Sequence, residues 1–178
     1  MSQALLIIDI QAGLCTGKYA VFEAERVIGN VNRISEQARA QGVPVVVIQH
    51  EEDEGSLVYN SAGWQLAESL VATPQDVFIR KGASDSFHKT ELQAKLQSLG
   101  ITELIVCGMQ SDFCVNSTVR RGLALGYPIT LVSDAHSTLD NSVLTAEQII
   151  AHHNETLSQL SSFGVRAQLK TTEEVLSR

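Results

Sequence analysis

The chain alternates short segments that are apolar throughout with longer segments whose apolar residues recur at helical spacing. Strands that are apolar on both faces are typical of parallel sheets, because helices cover both sides of such sheets. The alternation therefore predicts an α/β fold with a helix-covered parallel sheet. The predicted strands are residues 4–10, 43–49, 77–79, 103–107, 128–132 and 165–169.

Helical spacing between the strands predicts the covering layers. A capping-box pattern at Thr90–Gln93 predicts the start of the third helix. We find no repeat, low-complexity tract or linker, so we expect one domain over residues 1–178. The predicted helices are a segment around residues 27–38 that ends at Gly42, and residues 64–70, 92–99, 114–125, 142–163 and 172–176.

Charge and cysteine usage exclude several classes of partner. The net charge is -7, and adjacent basic pairs occur at residues 80–81 and 120–121 alone, which argues against nucleic-acid binding. Three cysteines without paired spacing favour a reducing compartment over a disulfide framework. No basic leader precedes the first apolar run, and no segment approaches the roughly 20 apolar residues that cross a bilayer. We expect a cytoplasmic protein without membrane contact.

Three reactive side chains lie at the ends of predicted strands. Asp9 closes the first strand, Lys81 follows the third, and Cys114 begins the helix after the fourth. Ligands of open α/β sheets bind beyond the carboxyl ends of the strands. We therefore expect the three side chains to meet at one edge of the sheet.

Cys114 has the sequence context of a nucleophile. A strand that breaks at Gly108 and restarts as a helix at Cys114 places the thiol at a helix N-terminus, which favours a thiolate. On spacing alone, inert packing is the alternative, since free cysteines are usually buried. Cys107 lies inside a predicted strand, and Cys15 lies in a loop flanked by glycines.

Together the three side chains could perform acyl transfer. A free thiol has a pKa of about 8.5, and a nearby lysine ammonium lowers it. A carboxylate can take the thiol proton and later give it to a leaving amine. Backbone N–H groups of the turn at residues 108–113 could stabilise an oxyanion. We expect Asp112 in that turn to cap the following helix.

Three signatures carry a family resemblance: Leu-Leu-Ile-Ile-Asp-Ile-Gln at residues 5–11, Arg-Lys at 80–81 followed by Ser-Phe at 86–87, and Gly-Met-Gln-Ser-Asp-Phe-Cys-Val at 108–115. These signatures, and their order along the chain, resemble those of the isochorismatase-like cysteine hydrolases, which include nicotinamidases and N-carbamoylsarcosine amidase. The resemblance spans nearly the whole chain. It implies a three-layer α/β/α, Rossmann-like fold with a six-stranded, mostly parallel sheet.

The resemblance also implies roles for individual residues. It makes Asp9, Lys81 and Cys114 a catalytic triad, with Lys81 holding the thiolate and Asp9 moving the proton. It places a cis peptide bond before Gln110, and an oxyanion hole at the backbone N–H groups of Gln110 and Cys114. Gln110 and Ser111 stand where relatives commonly have Ala and Thr, which bears on the shape of the pocket.

The substrate pocket is expected in the loops around residues 14–19, 50–64 and 84–88, since loops are where such enzymes vary. Trp64 and Phe87 are expected there from the resemblance, with ordinary packing as the alternative. The pocket residues that we predict are Leu14, His50, Trp64, Phe87 and Phe113.

We predict no metal and no organic cofactor. Nicotinamidases hold a metal near the corresponding strand end with an aspartate and two histidines at set positions after that strand, and of this pattern only His50 is present here. His50 could instead orient the substrate or cap the strand.

The sequence thus predicts a hydrolase that cleaves a C–N bond of a small amide through a thioester. Isochorismatase-type cleavage of a vinyl ether is one alternative, and a redox-sensing thiol protein is another. A third reading is an assembly partner, favoured by Trp64 and the apolar face after Ser142. Because relatives often form dimers or tetramers, we expect a homo-oligomer.

Overall fold

In the computed structural model, which describes residues 2–177, a six-stranded sheet has the order β3-β2-β1-β4-β5-β6. All five neighbouring pairs of strands are parallel, which confirms the predicted α/β class. The strands are β1 (Gln3–Ile8), β2 (Val45–His50), β3 (Val77–Lys81), β4 (Glu103–Met109), β5 (Ile129–Ser137) and β6 (Ala167–Lys170).

Alternating residues of the central strand β1 pack against opposite layers of helices. Leu5 and Ile7 belong to one apolar core, and Leu6 and Ile8 belong to the other. Both faces of the sheet are therefore buried, as the apolar strands predicted. The helices are α1 (Ala12–Cys15), α2 (Ala24–Ala40), α3 (Leu92–Ser98), α4 (Asn116–Ala124), α5 (Ala146–Ser158) and α6 (Thr172–Leu176), with a 3₁₀ turn at Gly17–Tyr19 and a π-helical turn at Ser111–Val115.

Several helix predictions were wrong in position or extent. Residues 64–70 form turns, and α5 is much shorter than the predicted 142–163. The N-cap of α3 is Glu91, which makes no capping hydrogen bond; the Thr90 hydroxyl donates to the Ser86 carbonyl (2.6 Å) and accepts from the N–H of Leu92 (3.3 Å), so the predicted capping box does not form. Capping boxes form instead at Thr145, before α5, and at Thr171, before α6. No helix within residues 2–177 is long and apolar enough to cross a membrane.

Strand β5 is longer than predicted and shifts register against β4. Val106 of β4 pairs with Leu131, whereas Gly108 pairs with His136. The extra residues in β5 bring His136 beside the end of β4, where Cys114 follows.

Gly108 permits the close approach of β1 and β4. Its φ of +118° favours glycine, and a Cβ there would overlap the backbone of Ile8. Any other residue would push β4 away from β1. Asp9 directly follows β1, and Cys114 lies in the turn that follows β4.

Candidate active site

Asp9, Lys81 and Cys114 meet at the carboxyl edge of the sheet. Asp9 directly follows β1 in a left-handed conformation (φ +51°), Lys81 is the last residue of β3, and Cys114 lies in the turn after β4. The structure thus brings together three residues that are 33 or more positions apart in the chain. The helical backbone begins at Ser111, so Cys114 lies inside the π-helical turn and does not start α4 as predicted.

The Lys81 ammonium is the centre of the site. Its Nζ lies 2.7 Å from Oδ2 of Asp9, and it donates to Sγ of Cys114 (3.2 Å) and to the Ala83 carbonyl (3.1 Å). Both the Lys81 and the Asp9 side chains are almost fully buried. Burial opposes the charge of Lys81, but Asp9 and Cys114 outweigh it and raise the pKa of Lys81. Lys81 is therefore an ammonium at neutral pH.

The Cys114 thiol is protonated at rest. Burial, with the nearby Asp9 carboxylate, raises the pKa of Cys114 to about 12, although Lys81 acts in the opposite direction. The lysine and the helix terminus were predicted to favour a thiolate. Desolvation disfavours any isolated charge and outweighs the effect of the lysine here.

One carboxylate oxygen of Asp9 has no hydrogen-bond partner among the described residues. Oδ2 pairs with Lys81, whereas Oδ1 is buried and has no hydrogen-bond partner within residues 2–177. Buried polar oxygens nearly always have a partner. An unpaired carboxylate oxygen beside a thiol is suited to accept a proton.

A buried polar chain fixes the turn that carries Cys114. Ser111 Oγ lies 2.8 Å from Nδ1 of His136, whose Nε2 lies 2.9 Å from Oδ1 of Asn154. Because the Asn154 oxygen can only accept, His136 carries its proton on Nε2 and accepts from Ser111. Burial lowers the pKa of His136 to about 4, which keeps the ring neutral. No sequence signal predicts this chain, since it depends on the irregular register of β5.

Asp112 does not cap a helix. Its Oδ1 accepts a hydrogen bond from the Thr138 hydroxyl (2.6 Å) at the end of β5. The π-helical turn begins after Gln110 with no side-chain cap. Asp112 therefore fastens the turn to the neighbouring strand, and the predicted capping role was wrong.

Gln110 presents a backbone donor beside the thiol. The peptide bond between Met109 and Gln110 is cis, as the resemblance implied. The N–H of Gln110 has no acceptor in the part of the chain that the structure describes, whereas its carbonyl accepts from Phe113 and Val115. A free N–H at this position can bind an oxyanion.

A cavity of about 190 Å³ opens onto Cys114. It includes three of the five predicted pocket residues, Leu14, His50 and Phe113. The other lining residues are Asp9, Glu52, Leu57, Ser84, Gln110 and Cys114. Glu52, Leu57 and Ser84 were not named from the sequence, but they lie in the loops expected to shape the pocket.

Trp64 and Phe87 lie elsewhere. Trp64 lines an open cleft beside β3 and contacts Tyr59 edge to face (4.9 Å between ring centroids). Phe87 is in the core and stacks on Tyr127. Both predictions rested on the family resemblance, whereas the structure agrees with the alternative of ordinary packing.

The other two cysteines are buried and face away from the cavity. Cys107 packs in the core, and burial raises its pKa. Cys15 ends α1 with Sγ 3.5 Å from Sδ of Met109, and burial raises its pKa to about 12. Cys15 thus lies in a short helix and not in the predicted loop.

Asp9, His50 and Cys114 each offer a metal-binding atom within 4.8 Å of the others. The Lys81 ammonium already contacts all three side chains, with Nζ 3.2 Å from Nδ1 of His50. A metal ion at their centre would have to displace a buried cation. These residues therefore do not fit a metal site while Lys81 is in place.

Comparison with known proteins assigns the family. A family model described as the isochorismatase domain matches residues 3–158. A crystal structure of an isochorismatase family protein has a TM-score of 0.87 and 34% identity, covering 95% of this chain and 98% of that one. The chain belongs to the isochorismatase family, whose members are hydrolases.

Two relatives show how far the similarity extends. A streptothricin hydrolase of Streptomyces noursei is 38% identical over 139 residues, covering 78% of this chain and 50% of that protein. The chain spans about half the length of the streptothricin hydrolases it matches. An isochorismatase family protein of Bacillus subtilis strain 168 is 35% identical over 185 residues, covering 99% of both chains.

Proposed function

We propose that this chain is a cysteine hydrolase that cleaves the C–N bond of a small amide through a thioester on Cys114. The observation that carries the proposal is a buried ammonium, Lys81, between the thiol of Cys114 and a carboxylate, Asp9, that has one oxygen unpaired. The streptothricin hydrolase relative supports a hydrolase of this general kind.

In the first half of the reaction, Sγ of Cys114 attacks the carbonyl carbon while its proton passes to Asp9. A C–S bond forms, and the carbonyl electron pair moves to oxygen, where the backbone N–H groups of Gln110 and Cys114 bind it. When the tetrahedral intermediate collapses, the C–N bond breaks. Asp9 returns the proton to the departing nitrogen, which leaves as an amine or ammonia.

In the second half, water attacks the thioester and gives a proton to Asp9. The C–S bond breaks, the acid leaves, and Cys114 regains a proton from Asp9. Each group thus returns to its starting state, and no oxidant or external cofactor takes part.

The raised pKa of Cys114 is compatible with this scheme. Loss of the thiol proton to solvent would leave Asp9, Lys81 and Cys114 with a net negative charge in a buried site. Transfer of the same proton to Asp9 keeps their net charge at zero, since one anion replaces another beside Lys81. The thiolate is therefore far easier to form within the site than its titration suggests.

The protonated resting thiol weighs against redox sensing. Sensor cysteines react with oxidants as exposed, low-pKa thiolates, whereas burial raises the pKa of Cys114 to about 12.

We further propose that the chain is cytoplasmic, because its free cysteines suit a reducing compartment. We also propose that it is a single domain, since one six-stranded sheet carries both apolar cores, and a homo-oligomer, as the family resemblance implies.

The test is intact-mass spectrometry after incubation with a library of small amides. Wild-type protein should show the mass of an acyl group on Cys114, and Cys114→Ala should show neither adduct nor turnover. Cys15→Ala is the matched control, because Cys15 lies outside the cavity. Turnover by Cys114→Ala would contradict the mechanism, and cleavage of isochorismate without cleavage of any amide would contradict the substrate class.

A further inference from the structure

His50 contacts the Lys81 ammonium from the neighbouring strand. The two residues are register partners at the ends of β2 and β3, and Nδ1 of His50 lies 3.2 Å from Nζ of Lys81. In a parallel pair, register partners project to the same face of the sheet. The contact is thus built into the pairing of the strands.

Gln11 fixes the backbone of His50. The Gln11 side chain accepts from the His50 N–H (2.8 Å) and donates to the His50 carbonyl (2.9 Å). Gln11 is fully buried and also donates to the Trp64 carbonyl (2.9 Å). Both backbone groups of His50 are therefore held by one amide, which sets the direction of the imidazole.

The ammonium has fewer protons than acceptors around it. Lys81 has three N–H donors, and it faces Asp9 Oδ2, the Ala83 carbonyl, Cys114 Sγ and His50 Nδ1. A protonated thiol is a weak acceptor, so an unprotonated imidazole nitrogen is the better partner for the third proton. It can hold the ammonium without adding negative charge to the site.

We propose that His50 is a positioning residue whose unprotonated Nδ1 accepts a hydrogen bond from Lys81 and keeps the ammonium between Asp9 and Cys114. This role rests on the proposed function, in which Lys81 must stabilise whichever of Asp9 and Cys114 is the anion. Without His50, the contacts that remain to balance the pull of Asp9 on the ammonium are the Ala83 carbonyl and the weakly accepting thiol of Cys114.

The charges around the ring favour the required state. Burial and the Lys81 charge lower the pKa of His50, although Asp9, Glu52 and the Ala83 carbonyl act in the opposite direction. The groups that face His50 are Lys81 from β3, Asp9 from the turn after β1, Cys114 from the π-helical turn and Glu52 from its own segment. An ammonium can only donate, so Nδ1, which lies 3.2 Å from Nζ of Lys81, is the acceptor and the ring proton belongs on Nε2, on the side of Glu52 (3.7 Å from Oε1).

Two substitutions separate the nitrogen atoms of His50. Asparagine places its amide oxygen near the position of Nδ1, whereas glutamine places its amide near the position of Nε2. We expect His50→Asn to retain the contact with Lys81, and His50→Gln and His50→Ala to lose it. His152→Asn, an exposed histidine on α5, is the matched control.

The first measurement is the rate at which iodoacetamide alkylates Cys114 at alkaline pH, located by peptide mass spectrometry. A displaced ammonium no longer stabilises the thiolate. We therefore expect alkylation to slow about tenfold or more in His50→Gln and His50→Ala, and to stay near the wild-type rate in His50→Asn. Equal rates in all variants, or rescue by glutamine as good as by asparagine, would overturn the proposal.

The second measurement is amide turnover. A positioning role predicts that kcat falls about ten- to a hundredfold in His50→Gln and His50→Ala while KM changes little. A rise in KM at constant kcat would show that His50 binds substrate instead. Thermal unfolding identifies any variant that fails to fold, and the comparison of His50→Asn with whichever of His50→Gln and His50→Ala folds then decides the outcome.

The two proposals fail in different ways. If alkylation depends on His50 as expected but no amide is cleaved, the proposed function fails and the positioning role stands. If Cys114→Ala abolishes turnover but the variants of His50 match wild type, the hydrolase stands and the positioning role fails.

Discussion

Asp9 and Lys81 form an ion pair with 2.7 Å between Oδ2 and Nζ, and each side chain is at most 1% exposed. Desolvation of the two charges offsets much of their attraction, so such a pair adds little to the free energy of unfolding. Removing one partner is nevertheless strongly destabilising, because it leaves a single buried charge. Because both residues belong to the proposed catalytic triad, the same two charges affect stability and catalysis. A double-mutant cycle can measure the coupling free energy between them.

The ion pair predicts strong coupling between its two members. Asp9→Asn leaves the Lys81 charge buried without a counterion and should lower the free energy of unfolding by about 3–5 kcal/mol. Adding Lys81→Met should restore much of that loss, although neither variant should turn over substrate. Urea unfolding of the two single variants and the double variant gives the coupling, and additive losses would contradict it.

The neutral His136 predicts an acid-sensitive fold. The folded-state pKa of His136 is about 4, against an ordinary value of 6.5, so the unfolded chain binds the proton first as pH falls. The stability that depends on a neutral His136 is fully present above about pH 6.5 and is lost by about pH 4. This loss lowers the free energy of unfolding by about 3 kcal/mol in total. The difference in unfolding free energy between wild type and His136→Gln, followed from pH 7 to pH 4, should shrink by that amount. A constant difference would argue against a neutral buried ring.

Gly108 predicts a severe effect from one methyl group. Gly108→Ala places a Cβ against the Ile8 backbone at a φ of +118°, and should lower the free energy of unfolding by about 3 kcal/mol or prevent folding. Gly29→Ala, in the open on α2, should leave stability unchanged or raise it by up to about 1 kcal/mol. Thermal unfolding of the pair checks this, and equal behaviour would refute the packing argument.

The burial of the three thiols predicts an order of reaction. Cys114 borders the cavity, whereas Cys15 and Cys107 are closed off in the native fold. Iodoacetamide should label Cys114 in native protein, slowly at pH 7 and faster as pH rises, and label the other two only after denaturation. Lys81→Met should slow the labelling of Cys114, since Lys81 lowers the pKa of that thiol. Peptide mapping by mass spectrometry distinguishes the three sites.

Much of the fold could be predicted because its determinants are local. All six strands lie where apolar runs predicted them, and Asp9, Lys81 and Cys114 converge because parallel strands end at one edge. The failures have different physical causes. The Thr90 hydroxyl donates to the Ser86 carbonyl and accepts from the first N–H of α3, a local arrangement that is not the predicted reciprocal capping box. The Trp64 ring packs against Tyr59 and not against the cavity, so there a tertiary contact decides.

Other parts of the site had no local signal. The bond between Ser111 and His136 depends on extra residues in β5, and the raised pKa of Cys114 depends on burial that spacing does not reveal. The pairing of His50 with Lys81 requires the register of β2 against β3. Sequence identified the reactive groups, whereas their protonation states emerged only from packing.

The position of β3 sets a limit on how long the site stays assembled. β3 is five residues long and lies at the outer edge of the sheet, where β2 is its sole strand neighbour among residues 2–177. Peripheral elements open at lower free energies than central ones. Transient detachment of β3 would carry Lys81 away while Asp9 and Cys114 stay beside the two central strands. Warming is therefore expected to abolish the proposed hydrolase activity at a temperature below that at which the sheet itself melts.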